Sequence, residues 1–311
     1  MRVAIIGAAG GVGSATAFAL TLTGAVEELV LIDDNERAVR SHVMDLEQLT
    51  VDHPLRVRAG SLTDAAGAQV TILSASVPHR DGAPREAFLR KNARVVDGIA
   101  TRLVEVPGWG GKLVIVTNPV DPLCTWIDRR LGRGLVDVLG YTLNDTTRLR
   151  FAVAAALGVE ASRVEAWSIG QHGDYAVPLF SRIRVDGTPV QLDHHQRGRV
   201  LRYIRSWYQR WQDCRSGRTS TWMTGSGLAQ LIRAVAHPSD RPHPVSVPLR
   251  GEYGMASVSL TVPVLLGPER PKVLEWELAP DEMTALHEGA AAIAAAVESV
   301  EQEMTSSSSM R

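Results

Sequence analysis

The first strand-like run, Val3–Ile6, leads into Gly7-Ala8-Ala9-Gly10-Gly11-Val12-Gly13 and then into a helical pattern. Glycines at such a turn let backbone approach a pyrophosphate, and the helix start offers free N–H groups and the positive end of its dipole. The spacing is GxxGxxG, not strict GxGxxG, and a tight strand-to-helix turn alone would use the same residues. Asp33 strengthens the dinucleotide reading. It ends the second strand-like run, twenty residues past Gly13, where a carboxylate accepts hydrogen bonds from an adenosine ribose. The same charge repels a 2′-phosphate, which favours NAD over NADP, although Arg37 is close in sequence. Asp34 is expected to serve a turn or a helix cap.

Four further segments hold groups able to react. Ser168-Ile169-Gly170-Gln171-His172-Gly173-Asp174 puts an imidazole in a glycine-flanked turn, and an ordinary imidazole can give or take a proton near neutral pH. Asn144-Asp145-Thr146-Thr147-Arg148 sets an acid and a base three apart near a helix start, on nearly one face. Thr117-Asn118-Pro119-Val120-Asp121 closes the fifth strand-like run. Val77-Pro78-His79-Arg80-Asp81-Gly82-Ala83-Pro84-Arg85 is a polar loop, suited to a lid, after the fourth. Each has an ordinary structural explanation in isolation: a buried histidine, a surface salt bridge, an Asn-Pro turn, a solvated loop.

The elements that must position these groups can be read from periodicity. Strands are expected at Val3–Ile6, Glu28–Ile32, Leu55–Arg58, Val70–Ser74, Lys112–Val116 and Val136–Leu139, with helices near Val12–Thr23, Glu36–Leu49, Arg85–Val106 and Pro122–Leu131. Apolar strands alternating with helices imply parallel βαβ units and a doubly wound sheet whose ligand crevice lies beyond the carboxyl ends of the strands. From about Tyr141 the pattern becomes α+β. Helices are expected at Thr146–Leu157, Asp193–Gln212, Ser226–Ala236 and Asp281–Glu301, and strands at Val164–Ile169, Arg182–Val185 and Val258–Leu266. The fold class is therefore α/β, a Rossmann-type parallel sheet (residues 1–141) joined without an obvious linker to an α+β catalytic domain (residues 142–311). The tail Thr305–Arg311 is expected to fray.

Composition narrows the function classes. The chain has 311 residues, enough for one large domain or two sharing a core. A formal net charge of −1 argues against a general footprint for nucleic acid or an acidic membrane. All but three of the 33 basic residues are Arg, the exceptions being Lys91, Lys112 and Lys272. Two cysteines, Cys124 and Cys214, form no CxxC pair and make no disulfide framework; Cys124 is expected in the core. No metal site is expected. With no signal-like start and no apolar run of about 18 residues, a cytoplasmic location is the default expectation.

Taken together and in order, these motifs resemble the lactate/malate dehydrogenase family over nearly the whole chain, including Gly251-Glu252-Tyr253-Gly254 and Val262-Pro263-Val264-Leu265-Leu266-Gly267. The resemblance implies reversible hydride transfer between NAD and C2 of a small 2-oxo or 2-hydroxy acid, in a homodimer or homotetramer. It also implies roles. His172 exchanges a proton with the substrate oxygen, and Asp145 holds the imidazole and stabilises its charged form. Arg148 grips the C1 carboxylate with two parallel bonds. Arg85 swings in with its loop to polarise the C2 carbonyl. Asn118 hydrogen-bonds the same oxygen and helps place the nicotinamide. Ser220 lies where the family presents a small or hydroxylated residue to the pocket. Gly7, Gly10, Gly11, Val12, Gly13 and Asp33 hold the cofactor.

The chain departs from the family at the lid. Six residues before the catalytic arginine, Gln accompanies lactate enzymes and Arg malate enzymes; this chain has His79, followed by Arg80 and Asp81 where Lys and Pro are frequent. Ser76 replaces a usual glycine just before the lid. The phosphate loop resembles a malate-type branch, whereas the segments around Asp145 and His172 resemble the lactate-type branch. His79 or Arg80 turned inward suits a second anionic group, as in oxaloacetate or a phosphonate such as phosphonopyruvate; lactate chemistry is the alternative. A non-catalytic NAD-binding protein would keep the glycines and Asp33 but has no need of His172, Asp145, Arg148, Arg85 and Asn118. An NAD-dependent glycosidase-like relative would need a metal-ligand set, and no suitable Cys/His cluster is present.

Overall fold

The computed structural model describes residues 1–308 except 53, 78–84 and 218, with backbone alone at 52, 85–87, 303 and 305–308. The first half alternates β1 (Arg2–Ile6), α1 (Gly11–Thr21), β2 (Glu28–Ile32), α2 (Glu36–Leu49), β3 (Arg56–Gly60), β4 (Val70–Leu73), α3 (Arg85–Val104), β5 (Lys112–Ile115), α4 (Val120–Leu131) and β6 (Asp137–Tyr141). These strands are parallel, in the order β3-β2-β1-β4-β5-β6. Helices cover both faces, so β4 and β5 are buried at every residue and read as continuous apolar runs rather than alternating ones. The order reverses between β1 and β4, which opens a crevice beyond their carboxyl ends.

The second half comprises α5 (Leu143–Leu157), β7 (Val164–Glu165), β8 (Ser168–Gly170), β9 (Ala176–Pro178), β10 (Arg184–Val185), β11 (Thr188–Pro189), α6 (His194–Asp213), α7 (Trp222–Ala236), β12 (His243–Arg250), β13 (Ala256–Leu265), β14 (Lys272–Val273) and α8 (Pro280–Ser308). It extends the same sheet. β12 lies antiparallel on β6, with Ser246 opposite Gly140, and β13, β8 and β9 follow, with β14 on β13. Gly140 makes this junction possible: a Cβ there would stand 2.8 Å from both Ser246 and Val120 and 2.9 Å from the Cys124 sulfur. Cys124 is fully buried beside it, as expected of a core residue.

Four sequence expectations need correction. The run 164–169 is not one strand: β7 joins β10 and β11 in a separate three-stranded sheet, while β8 joins the main sheet. Apolar runs report burial, not partners, and residues 166 and 167 carry the chain between the two sheets. The 182–185 strand shrinks to β10, preceded by a 3-10 turn at Phe180–Arg182. The central strand β12 is absent from the expected strands; its Pro244 and Pro248 lack the N–H groups that interior strand positions use. In the sheet they face Pro263 and Ser259 of β13. The closing helix runs to Ser308, so the Thr305–Ser308 part of the expected frayed tail is helical. Among the described residues no helix is long and apolar enough to cross a membrane.

Candidate active site

The glycine loop joins β1 to α1 at the crevice. Gly7 has φ +87°, and a Cβ there would lie 2.5 Å from the Ala75 nitrogen after β4. Only glycine lets the two strand ends approach so closely. Gly13 packs on Gly7 and Ala8 with no room for a side chain, holding the helix against its strand. Gly10 caps the helix, and the first helical bond runs from Ser14 N–H to its carbonyl at 2.9 Å. The N–H groups of Gly11, Val12 and Gly13 precede that bond and are available to an anion. Asp33, just past β2, accepts from Ala9 N–H at 3.1 Å and from Asn35 N–H at 2.9 Å, which fixes its carboxylate beside the loop. A carboxylate has about four acceptor positions, so sites remain for ribose hydroxyls. This cradle fits a dinucleotide. The cap of α2 is Asn35, which accepts from Ala38 N–H at 3.2 Å; Asp34, expected as a turn or cap residue, is exposed in the turn before it.

Beyond the sheet, one helix and one turn bring the reactive groups together. α5 begins at Leu143, three residues earlier than expected, so Asp145 lies in its first turn, where a negative charge suits the dipole. Asp145 Oδ2 is 2.6 Å from His172 Nδ1, and Arg148 donates to Asp145 Oδ1 at 3.4 Å. The side chains of His172, Asp145 and Arg148 keep 19%, 15% and 17% exposure: screened from bulk water yet reachable by a small molecule. Burial opposes the imidazolium, but the charge and hydrogen bond of Asp145 and the charge of Asp121 outweigh it, and the His172 pKa is raised despite Arg148. Burial likewise works against the Arg148 charge, partly offset by Asp145.

The residues between these groups hold the cluster in place. The Thr146 hydroxyl accepts from Ser168 N–H at 3.1 Å, tying α5 to the strand that leads to His172. Asn144 accepts from the Tyr141 hydroxyl at 2.7 Å and donates to Thr224 Oγ1 at 3.0 Å, and Thr224 donates to the Ser220 carbonyl at 2.5 Å. Tyr141 fits only because Gly227 has no side chain in its path. The chain of bonds fixes the entry to α7, where Thr221 lies 3.4 Å from the position a Gly11 Cβ would take. Ser220, whose carbonyl accepts from Thr224, immediately precedes Thr221 at this contact.

Two residues were missed by sequence reasoning. Asp121, in the first turn of α4, is fully buried and accepts the His172 backbone N–H at 2.6 Å. Its position three residues after Asn118, in the same quoted motif, was the available signal. Asn92 on α3 is also fully buried. It accepts from Val77 N–H at 2.9 Å and donates to the Asn118 carbonyl at 2.7 Å, so it joins the start of the lid to the end of β5. Nothing in its helical pattern marks it. Asn118 itself is exposed at the carboxyl end of β5. His79 and Arg80 lie outside the described residues, and Arg85 is described only as the first residue of α3.

A cavity of about 1210 Å³ lies elsewhere, among Thr147, Arg150, Arg182, Arg233 and Arg241, and none of His172, Asp145 and Arg148 lines it. That cavity also carries Glu165, His237 and His243 beside its arginines, but in the His172 cluster a histidine, a carboxylate and an arginine are in direct contact, and the candidate chemistry is placed there.

Residues 1–133 match the family model of the lactate/malate dehydrogenase NAD-binding domain, and residues 142–304 match that of its alpha/beta C-terminal domain. This chain belongs to the lactate/malate dehydrogenase family. It is an NAD-dependent 2-hydroxy acid dehydrogenase. It is 32% identical to a malate dehydrogenase of Halobacterium salinarum over 301 residues, 94% of this chain and 97% of that one. It is 30% identical to an L-lactate dehydrogenase of Synechococcus sp. over 310 residues, 96% and 99% of the two chains. A minor L-lactate dehydrogenase from Enterococcus mundtii superposes with a TM-score of 0.87 at 25% identity, covering 96% of this chain and 98% of that one. Relatives of both substrate types thus match at nearly equal identity.

Proposed function

We propose that this dehydrogenase acts on a 2-oxo/2-hydroxy acid bearing a second anionic group, with residues 1–141 holding NAD and residues 142–311 supplying the acid–base chemistry. The observation that carries the assignment of chemistry is the 2.6 Å contact between His172 Nδ1 and Asp145 Oδ2. With Nδ1 engaged, Nε2 is the ring atom left to serve the substrate oxygen. His172 donates its proton there during reduction and takes it back during oxidation. Asp145 fixes the tautomer and stabilises the imidazolium. Arg148 orients the substrate through its C1 carboxylate, Asn118 and Arg85 act on the C2 oxygen, and Ser220 borders the substituent. Bound NAD supplies or accepts the hydride.

The fixed Asp33 carboxylate supports NAD over NADP, because a 2′-phosphate would meet a like charge. Exposed Phe18 on α1 and Leu22 just after it, Phe151 on α5, Tyr208 on α6 and Trp222 on α7 support a homodimer or homotetramer, and the chain is proposed to act in the cytoplasm.

The second anionic group is inferred from His79 and Arg80 in the lid sequence. A donor placed for a distal oxygen loses about 1–3 kcal/mol when it faces a methyl group. NADH oxidation with oxaloacetate, phosphonopyruvate, pyruvate and branched and aromatic 2-oxo acids tests this. The anionic substrates should give the higher kcat/KM, and His79→Gln should move the ratio toward pyruvate. Arg80→Ala reports the neighbouring charge. A preference for pyruvate in the wild-type enzyme would overturn the anionic reading.

A further inference from the structure

Arg148 is held less by hydrogen bonds than by a ring. Its contact to Asp145 is long, 3.4 Å, and its Nε is buried with no hydrogen-bond partner among the described residues. The guanidinium instead lies over the indole of Trp207, with Cζ 3.7 Å from the ring centroid. Trp207 comes from α6, which packs alongside α5. Tyr203, Trp207 and Trp211 recur every four residues on that helix, so they share one face. Trp207 is in turn backed by Trp211, whose ring is nearly parallel at 16° and 5.3 Å away.

This arrangement divides the guanidinium between two kinds of contact. An aromatic ring engages a planar cation through its face, whereas a carboxylate engages it in the plane, through paired N–H donors. The indole therefore restricts tipping of the plane without consuming a donor. An arginine fixed by carboxylates or carbonyls would reach the substrate with its donors already in use. Here, among the described residues, the long Nη1 contact to Asp145 is the one hydrogen bond of the guanidinium, its other donors are left for a carboxylate, and the ring covers one face.

We infer that Trp207 is a positioning residue of this enzyme: it sets the plane of Arg148 so that its donors meet the C1 carboxylate of the substrate. The inference rests on Arg148 being the carboxylate-binding group, so the test includes both residues.

The loss of a partly buried cation–π contact corresponds to roughly a three- to thirtyfold weakening. Trp207→Leu should raise KM by about that factor for every 2-oxo acid turned over, with kcat at saturation within about threefold and NADH affinity unchanged. Trp207→Phe keeps a ring beneath the guanidinium and should restore most of the wild-type KM. Trp207→Met, apolar, flexible and without a ring, should resemble the Leu variant and replaces it if that variant does not fold. A general packing role would instead lower Tm and depress kcat without separating Phe from Met. The proposal is overturned if the non-aromatic variants keep KM within about twofold, or if Phe does no better than Met. Arg148→Lys separates the two levels. If it raises KM while the Trp207 variants do not, only the role of Trp207 falls; if it leaves KM unchanged, the carboxylate assignment falls and the role of Trp207 with it.

Discussion

The His172 backbone N–H donates to Asp121 Oδ2 at 2.6 Å, and Asp121 has no solvent exposure. The histidine is thus gripped twice by carboxylates, through its main chain by Asp121 and through Nδ1 by Asp145. Burial pushes the Asp121 carboxyl up to about 6, against the pull of Ser246 and His172, while Asp145 adds to the rise. The negative charge of Asp121 in turn favours the imidazolium.

Asp121→Asn keeps an oxygen for the His172 N–H but removes that charge. Reduction requires the protonated imidazole, so it fades as pH rises through the raised pKa of His172. In this variant the limb should move to lower pH in a kcat/KM profile; a limb that stays in place would show that Asp121 acts by geometry alone. Stability gives a second readout. The folded chain binds the Asp121 proton more tightly than the unfolded chain. That contribution is complete below the ordinary carboxylate value and is lost as pH rises through about 6. The variant has no such loss, so its Tm relative to wild type should climb between about pH 4 and about pH 6 and level off above that.

His172→Asn should retain NADH binding, measured by fluorescence titration, and lose reduction by about 10²–10⁴-fold, the usual cost of removing acid–base catalysis. Turnover within about threefold of wild type would remove His172 from the chemistry.

Asp33→Ser should weaken NADH and relieve repulsion of a 2′-phosphate. The ratio of kcat/KM for NADPH to that for NADH should rise. If it does not move, Asp33 does not face the ribose, and Asp34 becomes the residue to test.

Asn92→Leu leaves the Val77 N–H and the Asn118 carbonyl without their partner. Both bonds are only part-buried, so the two losses together should cost about 1–3 kcal/mol. Urea denaturation should register a loss in that range, and kcat should fall as Asn118 loses its anchor. A variant as stable and active as wild type would mean that the link to Asn118 is dispensable.

Much of the first half was legible in the sequence. A strand buried on both faces leaves a continuous apolar run, and the glycine turn and Asp33 follow at fixed distances because one βαβ unit builds them. The bounds of α2, Glu36–Leu49, were read without error. In the second half, periodicity failed where partners rather than burial decide structure: β12 is absent from the expected strands, and the run 164–169 is divided between two sheets. The lid residues His79 and Arg80 lie outside the described residues.

By itself the sequence determined which groups were available: a dinucleotide cradle, an imidazole, an acid and a base three apart, and an asparagine at a strand end. These are set by residue type and short spacing, which local geometry converts directly into shared faces. Packing of the folded chain brings Asp145 to His172 across 27 positions, Asp121 to it across 51, and Asn92 to Asn118 across 26. It also sets Trp207 beneath Arg148. Contacts between distant positions depend on how strands are ordered and how helices pack, and a single chain of letters carries no periodicity for either.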